Sequence, residues 1–201
     1  MAFLERQPIR RVCVFAGSSQ GARQEYAAVA ECLAKELVIR GLGIVYGGGN
    51  VGLMGVLADS AMEETGDVIG VMPGPLIERG VAHRRLTELR VASSMHDRKS
   101  KMAELADAFA VLPGGLGTIE EFFEILAWAQ LGIHSKPVGL INVCGYFDKL
   151  LDFLDQSVQE GFTSEQNRKM LLVESRPEVL LDLFENYNPP NVKKWDEVSE
   201  V

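Results

Sequence analysis

"AFAVLPGGLGTIEEFFEILAWAQLG", residues 108–132, sets three patterns end to end. "AFAVL" is apolar without alternation, the signature of a strand buried on both faces. "PGGLGT" is a glycine loop, and "TIEEFFEILAWAQLG" then repeats apolar residues at helical spacing. A strand that passes through such a loop into a helix places the loop amides at the positive end of that helix. In a parallel α/β sheet that point lies at the C-terminal edge, where ligands bind.

The same alternation runs along the whole chain. Strands are expected in "RVCVFAG" (11–17), "LGIVYGGG" (42–49), "DVIGVMP" (67–73), "LTELRVA" (86–92), "KPVGLINV" (136–143) and "MLLVES". Between them lie helical patterns: "YAAVAECLAKELVIRG" closed by Gly41, "LMGVLADSAMEETG" (53–66) stopped by Gly66, "RKSKMAELADA", and "YFDKLLDFLDQSVQEG" (146–161). "PEVLLDLFENY" is a final helix with Pro177 in its first turn. Non-alternating strands separated by amphipathic helices indicate one doubly wound, Rossmann-like parallel sheet with helices on both faces. Residues 1–187 are expected to form this single domain. The polar, proline-broken stretch 188–201, "NPPNVKKWDEVSEV", is expected to be a loose tail.

At 201 residues the chain can bury a continuous core without disulfides or metal. Its formal net charge of -8, with no long basic run, argues against a surface that tracks nucleic-acid phosphates. A small anion can still bind, because a local pocket of amides and one or two cations can oppose the global sign. Cys13, Cys32 and Cys144 are far apart, form no CxxC pair and suggest neither a zinc site nor a disulfide framework. "MAFLERQPIRR" has no apolar core of a signal peptide, and no run is long enough to span a membrane. A reduced, cytoplasmic protein is expected.

Two glycine clusters follow strands. "YGGGNVGLMG" has Gly47, Gly49 and Gly52 at G-x-G-x-x-G spacing, but on the second strand rather than the first, which disfavours a dinucleotide site. A tight strand-to-helix turn explains it as well. "PGGLGT" lacks the Gly-Lys-Ser/Thr of a P-loop, which disfavours ATP hydrolysis. Thr118 can give its hydroxyl to a phosphate or cap the helix. In the second case Glu121 becomes the third helical residue and "TIEE" a capping box. Successive helical residues turn by about 100°, so Glu120 and Glu121 face differently. Glu120 shares the polar side with Glu124, whereas Glu121 aligns with Ile125 and Trp128 at the edge of the apolar stripe. Glu121 is the better catalytic candidate.

In "MHDRKSKMAELAD" (95–107), Arg98 shares the buried stripe with Met102 and Leu105, near a helix N-terminus where a cation gains nothing from the dipole. Lys99 sits at the edge of that stripe. A snorkelling arginine is the alternative reading. His96 is a loop or cap residue with no assigned chemistry.

Through "FAGSSQG", "YGGGNVGLMG", "MHDRK" and "PGGLGTIEE", the chain from Val12 to about Tyr187 resembles the LONELY GUY (LOG) family. These are nucleoside 5′-monophosphate phosphoribohydrolases that release cytokinin bases from their ribotides and have long been mislabelled lysine decarboxylases. The resemblance puts the family's catalytic arginine on Arg98 and its catalytic glutamate on Glu121. It puts nucleotide contacts on Lys99, on Gly114, Gly115, Leu116, Gly117, Thr118 and Ile119, and on Glu120. It implies no metal, no cofactor and a homodimer with residues of both chains near the pocket. Two positions depart from many relatives: Gly80 stands where they carry a glutamate that touches substrate, and Ala127 where they carry threonine. Glu78, two residues from Gly80, is the candidate to take over that contact, although its direction would differ.

On that resemblance the glycine loop holds a 5′-phosphate and Glu121 faces the ribose, where N-glycosidic cleavage builds positive charge that a carboxylate stabilises. Arg98 is expected to orient Glu121 and to lower its pKa. Two rivals remain at this point. One is a non-catalytic carrier of a nucleotide or of the molybdenum cofactor. The other is a pyridoxal-phosphate decarboxylase, for which Lys99 and Lys101 are the nearest lysines, neither in a recognisable cofactor motif.

Overall fold

The structure is a computed structural model that describes residues 8–190. Residues 1–7 and 191–201, the latter most of the expected polar tail, lie outside the described residues. The elements run β1 (Arg11–Phe15), α1 (Gln24–Ile39), β2 (Gly43–Tyr46), α2 (Gly52–Glu63), β3 (Val68–Pro73), α3 (Gly74–Glu78), β4 (Glu88–Ala92) and α4 (Met95–Leu105). They continue β5 (Ala108–Val111), α5 (Leu116–Gln130), β6 (Val138–Ile141), α6 (Asp148–Gln159), α7 (Glu165–Arg168), β7 (Leu171–Glu174) and α8 (Pro177–Glu185). The short α3 and α7 were not foreseen from sequence.

The strands form a single parallel sheet in the order β4-β3-β2-β1-β5-β6-β7. The order runs outward from β1 in both directions, so the topological switch point lies between β1 and β5. Alternation along β1 assigns its residues to two cores. Val12 and Val14 pack with Leu33, Leu57 and Leu180 from α1, α2 and α8. Cys13 and Phe15 pack with Met102, Phe122 and Leu154 from α4, α5 and α6. Burial on both faces is why the inner strands are apolar, whereas the edge strand β4 carries Glu88 and Arg90.

Helix ends follow local chemistry, with two departures. Gly41 closes α1 as expected: at φ 68° it donates to Val38 O while Leu42 donates to Leu37 O. At the end of α2 the left-handed residue is Thr65 (φ 60°), not Gly66. Gly66 is required for space instead, because a Cβ there would come within 2.6 Å of Val38 Cγ2. The second departure concerns the cap of α5. Its N-cap is Gly115, so Thr118 is already inside the helix and "TIEE" is not a capping box. A variant of the box is at α4, where the N-cap Ser94 Oγ accepts from Asp97 N at 3.0 Å and Asp97 reaches one residue past the N-cap to accept from Ser93 N at 2.7 Å. With Ser93 N–H and Lys101 on it, the Asp97 carboxyl is pushed down to about 2.

Candidate active site

The C-terminal ends of β1 and β5 open the switch-point crevice, and the loops that leave them are stitched together. Gly17 N donates to Pro113 O at 3.0 Å, and a Cβ at Gly17 would press on Gly114 Cα at 3.1 Å. Gly17 O in turn accepts from Leu53 N at 3.0 Å, so the N-terminus of α2 is occupied by protein. The "GGGNVG" glycines therefore serve packing. A Cβ on Gly52 (φ 60°) would overlap the Ser18 carbonyl carbon, and one on Gly47 would overlap Arg98 Nη2.

The N-terminus of α5 is different. Gly115 caps it without a side chain, and its first helical bond closes from Ile119 N to Gly115 O at 3.1 Å. The Leu116, Gly117 and Thr118 amides precede that bond and have no helical carbonyl to meet. Gly115, Leu116 and Gly117 are exposed, Gly114 and Ile119 are half-buried, and Thr118 is buried with its side chain packed on Gly114. The loop has the geometry of an anion cradle: amides at a helix N-terminus with little side chain over them.

Beside it stands Arg98, buried near the start of α4. Its Nε donates to Val71 O at 3.0 Å and its Nη1 to Glu121 Oε1 at 2.6 Å, while Nη2 fills the space Gly47 leaves. Elements β2, β3, α4 and α5 thus converge on one guanidinium. Glu121 is only 12% exposed against 56% for Glu120, as the helical period predicts. Among the described residues, Glu121 Oε2 accepts no hydrogen bond, so one carboxylate oxygen is anchored and the other is available.

Burial pushes the Glu121 carboxyl above its ordinary range. The Arg98 charge and hydrogen bond pull it back without prevailing. The expectation that Arg98 would leave this pKa lowered is corrected: desolvation wins, and the result is a carboxylate more basic than usual. Lys99, 12% exposed, bridges to Glu120 and, at 2.8 Å, to Glu124. Burial works against its charge, but the two carboxylates raise its pKa. The structure thus brings Arg98 to Glu121 and Lys99 to Glu120, all on the flank of the α5 loop. His96 is exposed in the first turn of α4. Gly80, at φ 74°, has open space around it.

Sequence reasoning missed Tyr146, whose Oη donates to Gly114 O at 2.6 Å. The signal was "CGY" just beyond β6, where a non-glycine (Cys144, φ 54°) and a glycine (Gly145, φ 67°) both turn left-handed. That turn brings the tyrosine back over the glycine loop. Cys144 is exposed in it, whereas Cys13 is a core residue of β1.

Fold and site together define a doubly wound α/β protein with an Arg–Glu pair held beside an uncapped helix N-terminus at the switch point. Residues 54–184 match the family described as "Possible lysine decarboxylase". The rice protein (Oryza sativa subsp. japonica) "Probable cytokinin riboside 5′-monophosphate phosphoribohydrolase LOGL2" is 45% identical over 201 residues, covering 98% of this chain and 82% of its own. The Arabidopsis thaliana cytokinin riboside 5′-monophosphate phosphoribohydrolase LOG4 is 44% identical over 186 residues, covering 92% of this chain and 86% of its own. The chain belongs to this family, the LOG proteins. The solved molybdenum cofactor binding protein of Rippkaea orientalis superposes with a TM-score of 0.66 at 21% identity, covering 90% of this chain and 98% of that one. At that identity the likeness speaks for the fold alone.

Proposed function

We propose that the protein hydrolyses the N-glycosidic bond of nucleoside 5′-monophosphates, releasing the free base and ribose 5-phosphate, with cytokinin ribotides or AMP as substrates. The observation that supports this most directly is the 2.6 Å Arg98–Glu121 pair beside the open N-terminus of α5. The relatives' printed activity points the same way.

In this reading the free amides of Gly115, Leu116, Gly117 and Thr118 and the helix dipole hold the phosphate, with Gly114 and Ile119 flanking them as nucleotide contacts. That binding, remote from the broken bond, positions the ribose. As the C1′–N bond lengthens, the bonding pair leaves with the base and C1′ gains oxocarbenium-like charge. Glu121 stabilises that charge and takes a proton from the water that attacks C1′; the departing base picks up a proton in turn. A raised carboxylate pKa suits the task, since a more basic group is the better proton acceptor. Arg98 fixes Oε1, which leaves Oε2 to the water. Lys99 and Glu120 complete the rim as nucleotide contacts.

We further infer a homodimer in the cytoplasm. Exposed Phe153 (61%) on α6 and Phe162 (87%) just after it support burial against a second copy. Among the described residues no helix is long and apolar enough to cross a membrane. Light scattering on the eluting protein reads the first of these. The activity is tested by incubating the purified protein with AMP and with an N6-prenylated ribotide, then separating products by chromatography. Equal amounts of base and ribose 5-phosphate are expected; unchanged nucleotide would dismiss the reading.

A further inference from the structure

The Gly114–Gly115 peptide is the entrance to the α5 cradle; Thr118 packs on Gly114 and Ile119 N bonds to Gly115 O, but neither contact is to the Gly114 carbonyl that sets the plane of this peptide. Glycine tolerates most backbone conformations, and two in succession let the peptide plane between them rotate at low cost. A Cβ added to Gly115 would meet nothing within 4 Å, so no neighbour hems that residue in. The carbonyl, however, is held. Tyr146 Oη donates to Gly114 O at 2.6 Å. In a planar trans peptide the carbonyl and the amide N–H point in opposite directions. A carbonyl held toward Tyr146 therefore turns the Gly115 N–H away from it.

The tyrosine is itself braced. Its ring meets Tyr26 edge-on at 5.6 Å and Phe147 edge-on at 4.9 Å. Tyr26 packs on Gly21 in the loop after β1, where a Cβ would come within 2.6 Å of its ring. Behind Tyr146, Asn142 Oδ1 accepts from Phe147 N at 2.7 Å and its Nδ2 donates to Asp148 Oδ1 at 2.7 Å. The hydroxyl thus reaches Gly114 from a scaffold that spans the loops after β1 and β6.

We propose that Tyr146 is a positioning residue for the phosphate cradle: its hydroxyl locks the Gly114–Gly115 peptide so that the Gly115 amide, not the Gly114 carbonyl, faces the bound anion. Rotation of that peptide would exchange a donor for a carbonyl oxygen, which repels a phosphate. The inference rests on the phosphate-binding role given to this loop above and adds the residue that sets its polarity.

The test is Tyr146→Phe, which keeps the ring and its contacts and removes only the hydroxyl. Inorganic phosphate and ribose 5-phosphate are titrated calorimetrically into both proteins, and kcat/KM is measured for AMP and for adenosine. Phosphate affinity and kcat/KM for AMP are expected to fall about tenfold, with adenosine changed less than about twofold, because adenosine has no phosphate to be repelled. The melting temperature is expected to fall by no more than about 2–4 °C, the loss of one exposed hydrogen bond. A merely structural tyrosine would lower both substrates in parallel or neither, and either result overturns the proposal, as does phosphate affinity that is unchanged or undetectable in the wild type. Wild-type protein that binds phosphate with this tyrosine dependence but leaves AMP intact would instead overturn the hydrolase reading and leave the lock standing.

Discussion

Arg98 Nη1 lies 2.6 Å from Glu121 Oε1, and the pair is nearly sealed, with side chains 10% and 12% exposed. Burial raises the Glu121 pKa while Arg98 restrains the rise. If ionised Glu121 is needed in the free enzyme, kcat/KM falls as pH drops through this raised pKa, and the acid limb lies above the usual carboxylate range. Replacing Arg98 with methionine removes the restraint, so the limb is expected to move up by about 1–3 pH units. A limb that stays in place on the pH–rate profile of Arg98→Met would mean that another group titrates.

Gly47 and Gly117 differ in what a methyl group would meet. At Gly47 it displaces the Arg98 guanidinium; at Gly117 it meets nothing within 4 Å. Gly47→Ala is therefore expected to lower kcat steeply, on the order of a hundredfold, by moving the cation off Glu121. Gly117→Ala, in the first turn of α5, is expected to stabilise the fold by about 0.4–1 kcal/mol. Thermal melts and AMP turnover of the two proteins separate these outcomes. An active, unperturbed Gly47→Ala would show that Arg98 has room to spare.

Much of this was legible in sequence. Non-alternating apolar runs marked the inner strands of the sheet, the mixed run "LTELRVA" was read as the strand that became the edge strand β4, and the helical period placed Arg98 and Glu121 on buried faces and Glu120 outside. What escaped depends on contacts between distant segments. Thr118 has the chemistry of an N-cap, but the loop stitched to Gly17 carries the helix back to Gly115. The Gly47 requirement exists only because Arg98 arrives from α4, and the Tyr146 bond only because a left-handed turn after β6 folds back over β5. The Glu121 pKa was misjudged because sequence shows the neighbouring cation but not the depth of burial that outweighs it.

The capping box at α4 is a stability element that also serves the site. Ser94 O accepts the Arg98 amide at 3.0 Å, and its Oγ holds Asp97 N. Ser94→Ala is expected to cost about 1 kcal/mol. For a chain of this size that lowers the melting temperature by about 2–4 °C. Calorimetry reads the shift, and kcat should fall less than for any replacement of Arg98.

The α5 cradle suits a dianion and offers a neutral hydroxyl little. Adenosine is therefore expected to react with a kcat/KM at least about a hundredfold below that of AMP, equivalent to about 2.7 kcal/mol of lost transition-state binding. Comparable values for the two would reduce the glycine loop to a structural turn.

The most direct measurement is Glu121→Gln on AMP, with binding and single-turnover chemistry followed separately. The substitution preserves shape and keeps an oxygen for Arg98, but removes the charge and the proton acceptor. AMP affinity is expected to be nearly retained, while release of base slows by at least about a hundredfold. Base release at close to the wild-type rate, in a variant that still binds AMP, would contradict the assignment and leave the Arg98–Glu121 pair as a structural contact between α4 and α5.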